Sequence, residues 1–371
     1  MIKSVPFIDP ARNYQMIKKD LDRAYFDVMT RADLIDREDL KKFEENFARF
    51  IGTRFAVGVN SGYDALHLSL RAAGIKPGDE VIVPSHTFLA SCSAIVNIGA
   101  IPVLADVTFD FNIDIDKIRK AITPMTKGIM PVHLNGYMAD MPAIMKIAEE
   151  HNLIVVEDAA QCAGAGINGK KAGSWGNTGA FSFFPFKILG GYGDGGAITT
   201  NDPEIALSAK RLRYNGEDRV TRDYYAHGYT CLLDNLQAAF LDVKLGFLPS
   251  WIVKRQELAQ KYTDAFSQIT DLRLPVYQNE GYEHVYQNYV VMSKQGDEFS
   301  GFLKKNGVGV LTQWRKPYYK YESLQLSVKG FPVTEQLSAE VCSLPMNIEI
   351  NDDESDYVIK VVRAFYGLDK L

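Results

Sequence analysis

Leu153-Ile154-Val155-Val156-Glu157-Asp158-Ala159-Ala160-Gln161 is a short apolar run that ends in two acids and, three residues past the second, an amide. It reads as a strand, Leu153–Glu157, covered on both faces, because a strand with one wet face would alternate apolar with polar residues. The helix-like segment Ala139–His151 precedes it, and a helix feeding an apolar strand is the crossover unit of a parallel sheet. In open α/β sheets ligands sit beyond the carboxyl ends of the strands. Asp158 falls at such an end, where it could hold a pyridine nitrogen protonated; an acid there also serves as a plain helix N-cap.

Working outward, further strands are expected at Phe55–Val59, Glu80–Pro84, Ile101–Asp106, Gly128–Val132, Ala180–Phe184 and Gly196–Thr200, with a helix over Ser61–Ala73. These predict a seven-stranded, mainly parallel sheet between helices. After about residue 245 the pattern changes to a long helix, Leu236–Ala259, short strands around Tyr286–Met292 and a helix over Phe299–Asn306. With 371 residues, 46% of them apolar, the chain exceeds what one core usually fills. The expected division is a large α/β domain, 1–245, and a smaller C-terminal α+β domain, 246–371.

Composition removes several function classes. There are 41 basic against 46 acidic side chains and no run of five or six like charges, so neither a nucleic-acid surface nor a polybasic membrane patch is expected. The opening Met1–Pro10 lacks the apolar core of a signal peptide, and no run of about 18 apolar residues occurs, which predicts a cytoplasmic protein. Cys92, Cys162, Cys231 and Cys342 are widely spaced and read as small buried hydrophobes. The six histidines show no ligand spacing, so no metal is expected.

Three other stretches carry chemistry. In Phe181-Ser182-Phe183-Phe184-Pro185-Phe186-Lys187-Ile188-Leu189-Gly190-Gly191-Tyr192-Gly193-Asp194-Gly195-Gly196, Lys187 follows an aromatic strand, where desolvation lowers an amine's pKa and frees it as a nucleophile. Five glycines in the last seven positions predict a tight turn or close backbone approach to something bound. Ser182 is placed to contact a phosphate. In Gly58-Val59-Asn60-Ser61-Gly62-Tyr63-Asp64, a strand runs through Ser-Gly into a helix, offering either free N–H groups to an anion or a simple capping box. In Pro84-Ser85-His86-Thr87-Phe88, Phe88 is a ring at a strand end, suited to stack on a flat heterocycle or to join the core.

Together with Val5-Pro6-Phe7-Ile8-Asp9, Ala73–Ile82, Pro131-Val132-His133-Leu134-Asn135-Gly136 and Leu236-Gln237-Ala238-Ala239, these stretches resemble the sugar aminotransferases of the DegT/DnrJ/EryC1/StrS family. The resemblance implies a fold type I pyridoxal 5′-phosphate (PLP) transferase in which Lys187 holds the cofactor as a Schiff base. It implies that Asp158 pairs with the pyridine nitrogen, Gln161 approaches the phenolic oxygen and Phe88 stacks on the ring. Ser182, with the backbone of Gly62 and Tyr63, would hold the phosphate. A homodimer with shared active sites is implied. Family members commonly read Gly-Tyr-Asn-x-Arg-Leu-Asp where this chain has Gly228-Tyr229-Thr230-Cys231-Leu232-Leu233-Asp234; Thr230 stands where an Asn reaches the partner's phosphate, and Leu232 where an Arg stands. Tyr192, Tyr229, Trp314 and Arg315 occupy positions near which the sugar would bind.

L-glutamate as donor, leaving as 2-oxoglutarate, and a nucleotide-linked keto-sugar as acceptor follow from the same resemblance, as does a place in amino-sugar biosynthesis such as that of lipopolysaccharide O-antigen. The turn Leu189-Gly190 to Gly193-Asp194 resembles that of members acting at carbon 3, which points to a dTDP-3-keto-6-deoxyhexose and a 3-amino product. A UDP-linked 3-keto sugar and a 4-keto-6-deoxy sugar are the alternatives. A non-catalytic PLP-binding regulator is an alternative of another class; it would normally add a DNA-binding module, for which there is no room.

Overall fold

The computed structural model describes residues 4–275, 279–326 and 330–371. Helices α1 (Pro10–Arg31) and α2 (Glu38–Ile51) precede β1 (Phe55–Val59), after which helices and strands alternate: α3 (Gly62–Ala72), β2 (Glu80–Pro84), α4 (Leu89–Val96), β3 (Ile101–Ala105), α5 (Ile115–Ala121), β4 (Thr126–Ile129), α6 (Met141–His151) and β5 (Ile154–Asp158). A short hairpin, β6 (Gly166–Ile167) and β7 (Lys170–Lys171), leads to β8 (Thr178–Ser182) and β9 (Gly196–Thr200), then to α7 (Pro203–Arg213) and α8 (Asn235–Phe266).

The large sheet has the order β1-β9-β8-β5-β4-β2-β3, and only β9 runs against its neighbours. The seven-stranded, mainly parallel sheet expected from the sequence is therefore present. β5 takes the middle position, and its unbroken apolar run is explained by cover on both faces. On one side Phe43 and Phe47 of α2, Ile144 and Ile147 of α6 and Leu241 of α8 pack on the sheet; on the other, Leu66 and Leu68 of α3, Ile95 of α4 and Leu212 of α7 do so. The strand expected at Gly128–Val132 forms instead at Thr126–Ile129. Pro131 has no N–H to give the ladder, so the chain leaves regular pairing there, although its carbonyl still accepts from the Asp158 N–H at 2.9 Å.

The smaller lobe contains β10 (Leu272–Arg273), β12 (Tyr289–Ser293), α9 (Gly296–Lys305), α10 (Pro332–Glu340), β13 (Val341–Leu344) and α11 (Asp352–Phe365), whereas β11 (Tyr282–Glu283), between β10 and β12 in the chain, pairs with β6 and packs on the large core. Its core joins Tyr262 and Phe266 of α8 to Tyr289, Phe299, Leu303, Val358 and Val361, and also takes in Val5, which bridges to Val308. α8, expected to end near Ala259, continues to Phe266 because these last turns belong to that second core. Among the described residues α8 is the one helix long and apolar enough on average to cross a membrane. It carries Pro249 and the buried Lys244, and contributes to both cores.

The lobes are latched at the carboxyl edge of the sheet. The Asp106 carboxylate, just past β3, accepts from the Val333 and Thr334 N–H groups at 3.1 and 3.0 Å and from the Thr334 hydroxyl at 2.8 Å. α10 has no side-chain cap of its own, so the other lobe supplies one.

Candidate active site

Asp158 ends the central strand, and its buried carboxylate is held from two directions. The Ser91 hydroxyl donates to Oδ2 at 2.7 Å, and the Ala160 N–H donates to Oδ1 at 3.2 Å. Because the Ser91 hydrogen is committed to Asp158, the 2.9 Å contact between Ser91 and Thr87 is a bond donated by Thr87. Two accepted bonds leave the carboxylate able to take a third donor. Burial pushes its pKa up; the hydrogen bonds from Ser91 and Ala160 and the charge of Lys187 oppose that rise.

Beside it, His133 and Glu157 brace the strand end. The Ala139 N–H donates to Nδ1 of His133 at 3.2 Å, so the ring proton sits on Nε2, 3.0 Å from Glu157 Oε2. Glu157 also accepts from the N–H groups of Gly173, Trp175 and Gly176. Gln161 accepts from the Asn135 N–H at 2.8 Å, which leaves its amide nitrogen as the end turned to a ligand.

Lys187 lies in the loop between β8 and β9. Burial pushes its amine below the usual lysine range, and the Asp158 carboxylate partly opposes that. The loop folds back on β8: the Phe183 N–H donates to Gly195, the Gly191 N–H to Phe183 and the Lys187 N–H to Phe184. Lys187 and Tyr192 border one cavity of about 80 Å³ whose far wall includes Asn13, Arg255 and Glu349. The Lys244 ammonium spans this loop from α8, donating to the Gly190 carbonyl at 2.6 Å and lying 4.0 Å from the centre of the Tyr192 ring. Burial lowers its pKa to about 8.

Ser182 and Gly62 meet where two strand ends converge. A Cβ on Gly62 would lie 2.6 Å from Ser182 Cβ, so only glycine lets the start of α3 approach β8 this closely. Ser61 caps α3 by accepting from the Asp64 N–H at 3.0 Å. Ser61 is thus a helix cap, and the start of α3 lies beside Ser182, a geometry compatible with the anion reading. Part of the glycine run has a cause within the chain itself. A Cβ on Gly196 would lie 2.3 Å from the Ser61 carbonyl oxygen, so that close approach is to the protein's own backbone. Phe88 is 60% exposed at the start of α4, outside the core.

The remaining predicted residues are scattered. Tyr63 stacks on His67 and accepts from Asn97 at 2.6 Å. Tyr229 accepts from Arg71 at 2.8 Å and lies 3.2 Å from His67 Nε2, packed against α3. Thr230 donates to Asn215 at 2.9 Å and borders an open cleft of about 620 Å³ that also holds Asn60, Asp194 and Leu232. The Trp314 ring packs edge-on against His86 at 5.2 Å. Arg315 donates to the Ser338 carbonyl at 3.1 Å and to that of Ala339, and so caps the end of α10. Sequence reasoning missed Ser91, which lies one helical turn past Phe88, and Gln287, whose signal is a polar pair, Gln287-Asn288, immediately before the apolar strand β12.

A mainly parallel sheet that brings a desolvated lysine, a buried acid and an anion cradle to its carboxyl edge defines a cofactor-dependent enzyme of the α/β class. The chain matches the DegT/DnrJ/EryC1/StrS aminotransferase family over residues 15–363, and it belongs to that family. It is 38% identical to a dTDP-3-amino-3,4,6-trideoxy-alpha-D-glucose transaminase of Streptomyces venezuelae, over 97% of this chain and 96% of that one. It is also 38% identical to a pleiotropic regulatory protein of Geobacillus stearothermophilus, over 98% and 99% of the two chains. The crystal structure of S. venezuelae DesV in complex with a ketimine intermediate superimposes with a TM-score of 0.95, at 36% identity and over the whole of both chains. The chain is thus a PLP-dependent sugar aminotransferase of fold type I, and the lysine, acid and cradle gathered here fit that cofactor.

Proposed function

We propose that this enzyme moves the amino group of L-glutamate onto a dTDP-linked 3-keto-6-deoxyhexose, giving the 3-amino sugar. The observation that carries the reading is the partly buried, pKa-lowered Lys187 acting against the charge of Asp158. When bound, the cofactor supplies an electron sink for the carbon that loses its proton. Lys187 would hold the cofactor covalently and then carry a proton to and from the reacting carbon, a task suited to an amine that deprotonates below the usual lysine range. Asp158, fixed by Ser91 and Ala160, would accept from the pyridine N–H. Gln161 would reach the phenolic oxygen, Phe88 would cover the ring, and Ser182 with the Gly62 and Tyr63 N–H groups would take the phosphate.

The choice of carbon 3 and of dTDP is supported by the Leu189-Gly190 to Gly193-Asp194 turn and by the name of the S. venezuelae relative. We place Tyr192, which borders the same cavity as Lys187, and, by the sequence resemblance, Tyr229 and Trp314 on the substrate side, and give Arg315, bound to the end of α10, a structural part. Homodimerisation is supported by apolar side chains left in water, among them Phe26 at 64%, Val220 at 91% and Tyr224 at 71% exposure. The 215–235 segment, with Thr230, would reach the partner. We place the lobe boundary near residue 245, inside α8, and the enzyme in the cytoplasm.

The test is to offer glutamate with nucleotide-linked 3-keto and 4-keto sugars and locate the new C–N bond by NMR. Amination at carbon 3 is expected; amination at carbon 4 alone would overturn the regiochemistry and leave the aminotransferase standing. The name of the G. stearothermophilus relative favours a second reading, a PLP-binding regulator. An absorbance band near about 400 nm that shifts on adding glutamate separates the two, because a non-catalytic binder holds the cofactor without turning it over. Light scattering at assay concentration tests the dimer, and a fully active monomer would sink it.

A further inference from the structure

Lys187 is carried on a loop, and loops are the least rigid places to mount a catalytic group. What holds this one comes from the other lobe. The Gln287 side chain, in the segment leading to β12, accepts from the Ile188 N–H at 2.7 Å and donates to the Phe186 carbonyl at 2.9 Å. These are the two peptide groups that flank Lys187. The orientation of the amide is forced: an N–H can meet only its oxygen and a carbonyl only its nitrogen. Gln287 is 9% exposed; its bond to Ile188 is buried, so breaking that one strands a buried peptide N–H, while the bond to the Phe186 carbonyl is part-buried.

The next residue grips the opposite wall. Asn288 donates from its side chain to Asn135 Oδ1 at 3.1 Å and from its backbone to the Asn135 carbonyl at 3.3 Å. Asn135 in turn donates its N–H to Gln161. The segment is itself tied to α8, since Arg255 donates to the Tyr286 carbonyl at 3.0 Å and to that of Met346.

We propose that Gln287 and Asn288 form a two-handed positioning element, through which the small lobe sets the placement of Lys187 and of Gln161 relative to each other. Gln287 acts on the proton-carrying lysine and Asn288 on the residue assigned to the phenolic oxygen, so both act through other groups. The inference rests on the proposed roles of Lys187 and Gln161.

Two variants and three readouts test it. Gln287→Leu removes both bonds, whereas Gln287→Glu keeps an acceptor for the Ile188 N–H and sets a carboxylate against the Phe186 carbonyl. A misplacement of about 1 Å at a reacting group costs on the order of 100-fold in rate, so kcat for Gln287→Leu should fall by that order while KM for glutamate stays within about threefold. Gln287→Glu should lie between it and wild type. The isotope effect on kcat with α-deuterated glutamate should grow in both, because the misplaced lysine makes proton transfer limiting. In cofactor-stripped protein, acetic anhydride labelling of Lys187 against pH, read by mass, should show faster modification in Gln287→Leu than in wild type, with melting curves confirming that the variant is folded.

If Gln287→Leu fails to fold, the Gln287→Glu arm decides by the same isotope and labelling measurements. Wild-type isotope effect and wild-type labelling in a folded variant overturn this inference alone. Failure of borohydride to fix PLP on Lys187 of the wild-type protein overturns the functional reading beneath it, so the two failures are distinct.

Discussion

The half of the site that would hold the cofactor and the half that would meet the sugar are built in different ways. Asp158, Ser182 and Gly62 stand at the ends of neighbouring elements whose relative positions are set by the register of one buried sheet; Asp158 pairs directly with Ala180 across β5 and β8. Thr230, Tyr229, Trp314 and Arg315 sit on connecting segments, and each has found a local partner: Asn215, Arg71, His86 and the end of α10. A main-chain ladder imposes geometry on whatever side chain stands at its end, whereas a loop residue settles where its nearest partner is. The cofactor half is therefore set by sheet register, and the sugar half by the packing of its connecting segments.

The comparison is broken most severely at Lys187. Lys187→Ala should lower turnover by on the order of a thousandfold or more, with the fold retained, since it removes the covalent link and the proton carrier together. Steady-state assay with glutamate and circular dichroism check this; near wild-type turnover would remove the lysine from the mechanism.

Asp158→Asn comes next, with an expected loss of about 100-fold in kcat through the missing charge opposite the pyridine nitrogen. The same change carries a signed pH test. Burial raises the Asp158 pKa in the folded state, so its ionised form costs stability above that pKa, and the cost disappears as pH falls and the group is protonated in both states. The cofactor-free variant should thus melt higher than wild type by about 2 °C near pH 8, with the gain shrinking as pH falls through the raised pKa toward the ordinary carboxylate value. A gain that grows on acidification would reverse the assigned shift.

Gly62→Ala should weaken PLP binding by about tenfold, because the added methyl must push α3 away from Ser182 and so move the N–H groups that open there. Equilibrium dialysis reads it directly, and unchanged affinity would place the phosphate elsewhere. Smallest of the four, Arg315→Ala should lower stability by about 1–2 kcal/mol through loss of its bonds to the end of α10, while kcat/KM changes by less than about threefold. A tenfold rise in the KM for the sugar would instead put Arg315 at the substrate and dissolve the contrast between the two halves.

Where the sequence was legible, it was so for a local reason. Phe55–Val59, Glu80–Pro84 and Gly196–Thr200 form strands at the residues expected, since short, mostly uncharged runs containing β-branched residues and bounded by turn residues favour the extended chain. Lys187 stood out by its aromatic and glycine-rich flanks, and Asp158 by ending an apolar run. Gln287 lies 99 residues from the loop it holds, and nothing near it in the chain announces that partner. Arg315 shows the converse: an arginine beside Trp314 in a loop invites a ligand, and its partners are carbonyls 23 and 24 residues away and the Asp297 carboxylate.

The sequence by itself determined the alternating strands and helices, the acid at the end of the central strand and the lysine in its apolar setting. These follow from periodicity and from neighbours within a few positions. Only the tertiary structure decided that Gly190 presses on the Pro185 backbone and Gly196 on that of Ser61, that Ser91 rather than a backbone cap holds Asp158 Oδ2, and that Gln287 and Asn288 reach back to both walls of the site. Those choices are made by hydrogen bonds between residues far apart in the chain, whose geometry exists only once both lobes are packed.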